Sequence, residues 1–113
     1  MKIINKKISL KELEKLAAGK FGMLVKAVVD IEHKIMAVDG ELHSDEEGFL
    51  ISQGSKQSNL WGIILYPELN GEEFVEFDSM INIRPSAGNN SRSVEDPKVR
   101  KIIIDIVNDL VEK

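Results

Sequence analysis

The 113-residue sequence contains no cysteine, which excludes disulfide bonds, thiolate metal ligands and a cysteine nucleophile. It has two histidines, one tryptophan and one tyrosine, so side chains for a histidine-rich metal site are scarce. Its longest apolar run of interest, LWGIILY, is far shorter than the roughly 20 residues that span a bilayer. The amino-terminal MKIINKKISLKELEK lacks the apolar core of a signal peptide. These absences predict a soluble, cytoplasmic protein with no membrane partner.

An excess of basic residues is also missing. The chain has 15 Lys and Arg residues against 19 Asp and Glu residues, so the net charge is −4. The pI is about 5.2. Binding to nucleic-acid phosphates depends on a surplus of Lys and Arg, so no nucleic-acid partner is expected. Apolar residues make up 42% of the chain, enough for the core of one domain over residues 1–113.

Three segments have the pattern of helices. Ser9 and Glu12 form a capping box in front of apolar residues with helical spacing. Ser44 and Glu47 form a second capping box, which predicts a short helix ending near residue 54. The third helix is predicted to follow Asp96 as N-cap, because a wide apolar stripe extends from there to the carboxyl terminus.

Four further segments have the character of β-strands, with a tight turn expected at residues 32–34. They are VKAVVDI, KIMAVDGELH, LWGIILYP and EFVEFDSMINIR. Neighbouring strands joined by short turns favour an antiparallel arrangement. The predicted fold class is therefore α+β, a two-layer sandwich. A mainly antiparallel sheet of about four strands carries two longer helices and one short helix on one face.

The face of this sheet without helices would carry a row of polar residues, either solvated or functional. They are Asp39, Glu41, His43, Glu76, Asp78, Asn82 and Arg84. His43 is the side chain suited to proton transfer near neutral pH, with Glu41 or Asp78 orienting it or sharing a metal. Glu41, His43 and Asp45 alternate as metal ligands could, but further histidines are lacking, so no metal site is predicted and a cofactor stays unspecified.

The loop RPSAGNNSR, residues 84–92, is a candidate anion site. Arg84 and Arg92 would hold a phosphate or carboxylate, and Asn82, Asn89 and Ser91 would orient it. The alternative is that both arginines pair with nearby carboxylates and only pin the loop. No Walker or dinucleotide glycine pattern accompanies the loop.

The aromatic residues offer a third interpretation. Trp61, Tyr66 and Phe74 lie on or near the third and fourth predicted strands. The last helix has apolar residues around most of its circumference. Surplus apolar surface of this kind often marks self-association, which would make the protein a homodimer. The alternative is that these side chains complete the core.

Four motifs together carry a resemblance that covers nearly the whole chain. AVVDIE, GELHSDEE, GSKQSNLWGIILYP and FDSMINIRPSAGNNSRSVEDP resemble a family of small prokaryotic proteins known as a domain of unknown function. The resemblance implies a compact stand-alone domain and no particular activity. Asp39 and Asn90 stand where the family motifs have Gly and Arg. The family's polar motif positions fall at Glu41, His43, Gln57, Trp61, Asp78, Asn82, Arg84, Asn89, Ser91, Arg92, Glu95 and Asp96.

The sequence thus favours a domain that binds a small anionic ligand or a partner. A hydrolase using His43 with neighbouring carboxylates is the first alternative, and a structural homodimer is the second. Whether the protein is an enzyme is left open by the residues alone.

Overall fold

A five-stranded antiparallel sheet forms the middle of the protein, in a computed structural model that describes residues 1–113. The strands are β1 (Lys2–Ile4), β2 (Ile8–Ser9), β3 (Val25–Asp30), β4 (Ile35–Val38), β5 (Leu60–Leu65), β6 (Val75–Glu76) and β7 (Val111–Glu112). The helices are α1 (Leu10–Gly19), α2 (His43–Ser52) and α3 (Pro97–Leu110). The strand order in the large sheet is β1-β4-β3-β5-β6, while β2 and β7 form a separate parallel pair. The predicted α+β class and antiparallel sheet are confirmed. None of the helices is long and apolar enough to cross a membrane.

The helices α1 and α3 cover one face of the sheet. Leu13 of α1 and Ile103 of α3 are fully buried there, against Val29 of β3 and Ile63 of β5. They belong to one cluster of 20 buried apolar residues. Removing this much apolar surface from water is the main stabilising contribution to the fold.

The opposite face is covered by α2 and the segment after β6, which differs from the prediction that all helices share one face. Leu50 of α2 packs with Val28, Ala37 and Leu60 in a second buried cluster. The central strands therefore have apolar side chains on both faces, as strands covered on both sides do. The open polar face predicted from strict alternation is not present.

Two of the three predicted helix caps are confirmed. Ser9 accepts a hydrogen bond from the Glu12 amide at 3.1 Å, and Asp96 accepts one from Lys98. The prediction of Ser44 as the cap of α2 is wrong, because the cap is Leu42 and no side chain caps the helix. Ser44 is instead the second residue of α2, with its backbone already helical.

The long fourth strand predicted from EFVEFDSMINIR is also wrong, because it ends after Val75–Glu76. The chain then forms short 3-10 turns, and the side chain of Asn82 occupies the edge of β5. Its Oδ1 accepts a hydrogen bond from the Gly62 amide at 2.8 Å, and its Nδ2 donates to the Gly62 carbonyl at 2.9 Å. A side-chain amide thus completes the hydrogen bonding that a strand would have supplied.

Asp30 ties the predicted turn between β3 and β4 to the segment that follows α2. Its buried carboxylate accepts hydrogen bonds from the amides of Glu32 and His33, from His33 Nδ1 and from Ser55 Oγ. Burial raises the pKa of Asp30, but the hydrogen bonds from Ser55 and His33 outweigh it and hold the pKa below its ordinary value. The carboxylate is therefore ionised at neutral pH and fixes the hairpin.

We predict that Asn82→Ala destabilises the protein by roughly 3 kcal/mol, because it removes three hydrogen bonds to backbone groups. Urea denaturation measures the change in unfolding free energy. Asn90→Ala is the matched control, since its side chain is exposed and should change stability by less than about 0.5 kcal/mol. Equal effects of the two substitutions would show that the Asn82 amide does not support the sheet edge.

Candidate functional site

A cleft of about 300 Å³ opens where the start of α2 meets β5 and the segment after β6. Its lining combines charged, polar and apolar side chains from five parts of the chain. They are Lys26, Leu42, His43, Ser44, Ile64, Asp78, Ser79, Met80, Ile81 and Arg92. Small-molecule sites are usually concave places of this kind, with a few polar groups set among apolar side chains.

His43 is the first residue of α2 and is half-buried in the wall of the cleft. Its Nε2 lies 2.8 Å from the Ile63 carbonyl oxygen, which can only accept, so Nε2 carries the hydrogen. Nδ1 is then an acceptor, and nothing in the protein donates to it. Burial lowers the pKa of His43, with partial compensation from the bond to Ile63. The ring is therefore neutral at pH 7.

Ser79 and His43 meet over Gly62, which has no side chain to separate them. A Cβ at Gly62 would lie 2.5 Å from Ser79 Oγ and 3.2 Å from His43 Cδ2. Ser79 Oγ accepts a hydrogen bond from the Ile81 amide, and none joins it to His43. Nδ1 is on the ring edge opposite Cδ2, so this contact does not form the nucleophile–base pair of a serine hydrolase.

Two basic side chains give the cleft an excess of positive charge in a chain of net charge −4. Arg92 Nε donates to Asp78 Oδ1 at 2.7 Å, while Nη1 and Nη2 have no partner in the protein. Lys26 Nζ donates one hydrogen bond, to the Glu41 carbonyl at 3.1 Å. The free edge of the guanidinium has the geometry to bind a carboxylate or phosphate through two parallel hydrogen bonds.

The start of α2 adds backbone donors to the same cleft. The amides of His43 and Ser44 donate no hydrogen bond within the protein, because Leu42 offers no capping side chain. Unpaired amides at this end of a helix, together with its dipole, favour negative charge nearby. Cationic side chains and the helix start thus lie around one space.

The predicted catalytic residues are only partly brought together. His43 and Asp78 both line the cleft, but the Asp78 carboxylate bonds to Arg92 and not to the histidine. Glu41 is exposed and lines a neighbouring depression with Phe21. No group of three or more His, Asp or Glu side chains is placed to hold a metal ion.

Arg84 does not line the cleft. Its guanidinium donates to the carbonyls of Gln57, Leu60 and Ile81, and lies 4.3 Å from the centre of the Trp61 ring. Burial lowers the pKa of Arg84, and the nearby Glu47 partly offsets this. Arg84 therefore anchors the loop to the edge of β5.

Asn82 and Asn89 have their amides committed to the backbone. Asn89 Nδ2 donates to the carbonyls of Asn82 and Ser93 at 2.7 Å each, and its Oδ1 accepts from the Glu95 amide. Ser91 Oγ accepts from the Ser93 amide at 3.3 Å. Among the five predicted binding residues, Arg92 lines the cleft. The others hold the loop that carries it.

The cleft also contains residues that sequence reasoning missed. Lys26 could have been recognised in the sequence, because it is the single basic residue in the apolar segment VKAVVD. Leu42 and Met80 have no feature in the sequence that identifies them, because their exposure depends on where α2 and the 3-10 turn begin. Isolated exposed apolar residues cannot be recognised from their identity.

The fold defines a small α+β domain with a mixed polar and apolar cleft. The chain matches, over residues 2–110, the model of the family described as a protein of unknown function (DUF5674). The chain belongs to this family, as its motifs predicted. No curated protein and no solved structure matches it.

Glu46, in the first turn of α2, binds the loop that precedes the helix. Its side chain is fully buried, Oε2 accepts a hydrogen bond from the Gly40 amide at 2.9 Å, and Oε1 has no partner. A Cβ at Gly40 would lie 2.5 Å from Glu46 Cγ, so glycine is required for this close approach. Burial raises the pKa of Glu46 to about 9, which makes the carboxyl neutral at pH 7.

We predict that Glu46→Gln stabilises the protein by about 3 kcal/mol at pH 7, because folding then no longer requires a buried acid to take up a proton. The unfolded pKa is near 4.5 and the folded pKa about 9. The stability of the wild type relative to the variant is therefore greatest below pH 4.5 and is lost as the pH rises towards 9. Urea denaturation from pH 4 to 9 measures this difference.

The exposed Glu14→Gln is the control for this experiment, and its stability should track the wild type at every pH. A wild type that loses no stability relative to Glu46→Gln between pH 5 and 9 would mean that Glu46 is ionised in the folded protein.

Proposed function

We propose that the protein binds a small anionic ligand, a phosphate or carboxylate, in the cleft at the start of α2. The observation that carries this proposal is that one cleft is lined by Lys26, by Arg92 with its unpaired Nη groups, and by His43 and Ser44 with their uncapped amides. The predicted cytoplasmic location belongs to the same proposal.

The neutral state of His43 gives the cleft an acceptor beside its donors. Nδ1 can accept a hydrogen bond from a ligand hydroxyl, such as that of a hydrogen phosphate. The Asp78–Arg92 pair keeps the guanidinium in place, since Nε is held while both Nη groups are free. A ligand therefore meets donors that are already oriented, which lowers the entropy cost of binding.

We predict that inorganic phosphate or acetate raises the thermal midpoint of the wild type, and that Arg92→Gln abolishes the shift. A ligand at 100 times its dissociation constant stabilises the native state by roughly 2.7 kcal/mol, a shift on the order of 10 °C. Differential scanning fluorimetry over a concentration series measures it. Lys101→Gln, on the exposed side of α3, removes the same charge and should keep the shift.

A wild type that binds neither these anions nor any larger carboxylate or phosphate monoester, measured also by calorimetric titration, would overturn the proposal. So would a shift of equal size in Arg92→Gln, because the anion would then be bound elsewhere.

A hydrolase is the second candidate, and the geometry of His43 favours it. With Nε2–H bound to Ile63, the lone pair of Nδ1 is available to take a proton from a water that attacks a bound ester. The residue must be unprotonated for this role, and its lowered pKa keeps it so at neutral pH.

If the protein hydrolyses aryl phosphates or aryl acetates, His43→Gln should lower the rate by roughly 10²- to 10⁴-fold. The wild-type rate should rise with pH through the lowered pKa of His43 and be level by pH 7, because the base is the neutral ring. Initial-rate measurements from pH 4 to 8 test this. His33→Gln, in the turn after β3, is the histidine control, and a loss equal to that of His43→Gln would contradict the assignment.

Self-association has less support. Trp61 and Phe74 are 8% and 2% exposed and belong to the core, and Tyr66 donates to Glu76 on the next strand. Ile102, at 40% exposed, is the apolar residue that α3 leaves most open to a second copy.

A further inference from the structure

The cleft has an apolar side beside its cationic groups. Leu42 is 54% exposed and Met80 is 65% exposed, and both line the cleft with the partly buried Ile64 and Ile81. Single exposed apolar side chains are ordinary. Here two of them stand at one concave site next to Lys26, so the apolar surface and the charge are presented together.

An inorganic anion would use only part of this arrangement. It would satisfy the Arg92 edge and the helix start, while Leu42 and Met80 stayed in water. A ligand with an apolar body would cover them, and each buried methylene strengthens binding about fourfold. Met80 suits such a contact, because its unbranched thioether adapts to different shapes.

A neighbouring depression provides room for a longer body. Its volume is about 480 Å³, and it shares Lys26 and Leu42 with the cleft. It contains Phe21, which is 41% exposed and whose ring centre lies 4.9 Å from Lys26 Nζ. An apolar surface therefore continues from Met80 past Leu42 to Phe21.

We propose that the ligand is an amphipathic acid, a carboxylate or phosphate monoester whose aliphatic or aryl body lies against Leu42 and Met80. This rests on the proposed function and adds to it the chemical class of the ligand. The acid group binds at Arg92 and the start of α2, and the apolar body extends towards Phe21. A neutral molecule of the same shape lacks the group that the cationic end of the cleft attracts.

Calorimetric titration of the wild type with acetate, butanoate, hexanoate and hexanamide tests the proposal. Affinity is expected to rise about fourfold for each added methylene, and hexanamide is expected not to bind. Phenyl phosphate is expected to bind more tightly than inorganic phosphate for the same reason.

Variants separate the two parts of the cleft. Leu42→Ala and Met80→Ala should each weaken hexanoate binding at least several-fold and so lower the ratio of the hexanoate affinity to the inorganic phosphate affinity. Arg92→Gln should weaken both ligands. Met23→Ala is the matched control, because Met23 is 70% exposed and lines neither the cleft nor the depression. These substitutions are at exposed positions, so the variants should fold.

The outcomes distinguish this inference from the function on which it rests. Equal affinities for acetate and hexanoate, with loss in Arg92→Gln, would overturn the amphipathic ligand and leave anion binding in place. Absence of binding by every acid would overturn both. Sedimentation with phosphatidylcholine vesicles that contain phosphatidate, without binding of soluble acids, would overturn it in favour of a membrane surface.

Discussion

The pairing of the Asn82 side chain with Gly62 is the interaction on which the second face of the protein depends. It stops the edge of β5 from having unpaired backbone groups where β6 has ended. The same Nδ2 also donates to the Arg92 carbonyl at 3.0 Å, and Ser79 donates its amide to that carbonyl. One buried amide therefore fixes both the 3-10 turn that carries Met80 and the residue that supplies the guanidinium of the cleft.

This arrangement explains which parts of the fold could be predicted from the sequence. Helix caps at Ser9 and Asp96 act within three residues of chain, so their patterns are local and were interpreted correctly. The alternation in EFVEFDSMINIR favours a long strand, but strand pairing also requires a free partner edge. The side chain of Asn82 pairs with that edge in place of a strand. The periodicity of the sequence cannot predict that a side chain will replace a strand in this way.

Several residues of the candidate site could be predicted from the sequence, but their position in one cleft could not. His43, Asp78 and Arg92 were recognised for the chemistry of their side chains, in separate hypotheses about catalysis and anion binding. Their common cleft follows from α2 lying on the second face, which continuous apolar strands such as LWGIIL can indicate. Arg84 could not be distinguished from Arg92 in the sequence. The unpaired carbonyls that bind Arg84 exist only in the folded chain.

Two buried polar side chains, Asn82 and Glu46, hold the two sides of the cleft in place. Burying polar groups such as these in a protein core costs free energy. Asn82 fixes the side of Arg92, while the neutral carboxyl of Glu46 holds the Gly40 amide and so fixes the loop from which α2 starts. In that loop Asp39 has φ of 68°, a left-handed conformation that favours glycine over other residues. An apolar residue in place of Glu46 would bury more easily but would leave the Gly40 amide unpaired. The polar residues of this core are therefore explained by the position of the helix start and of Arg92, which together form the end of the cleft where we propose that an anion binds.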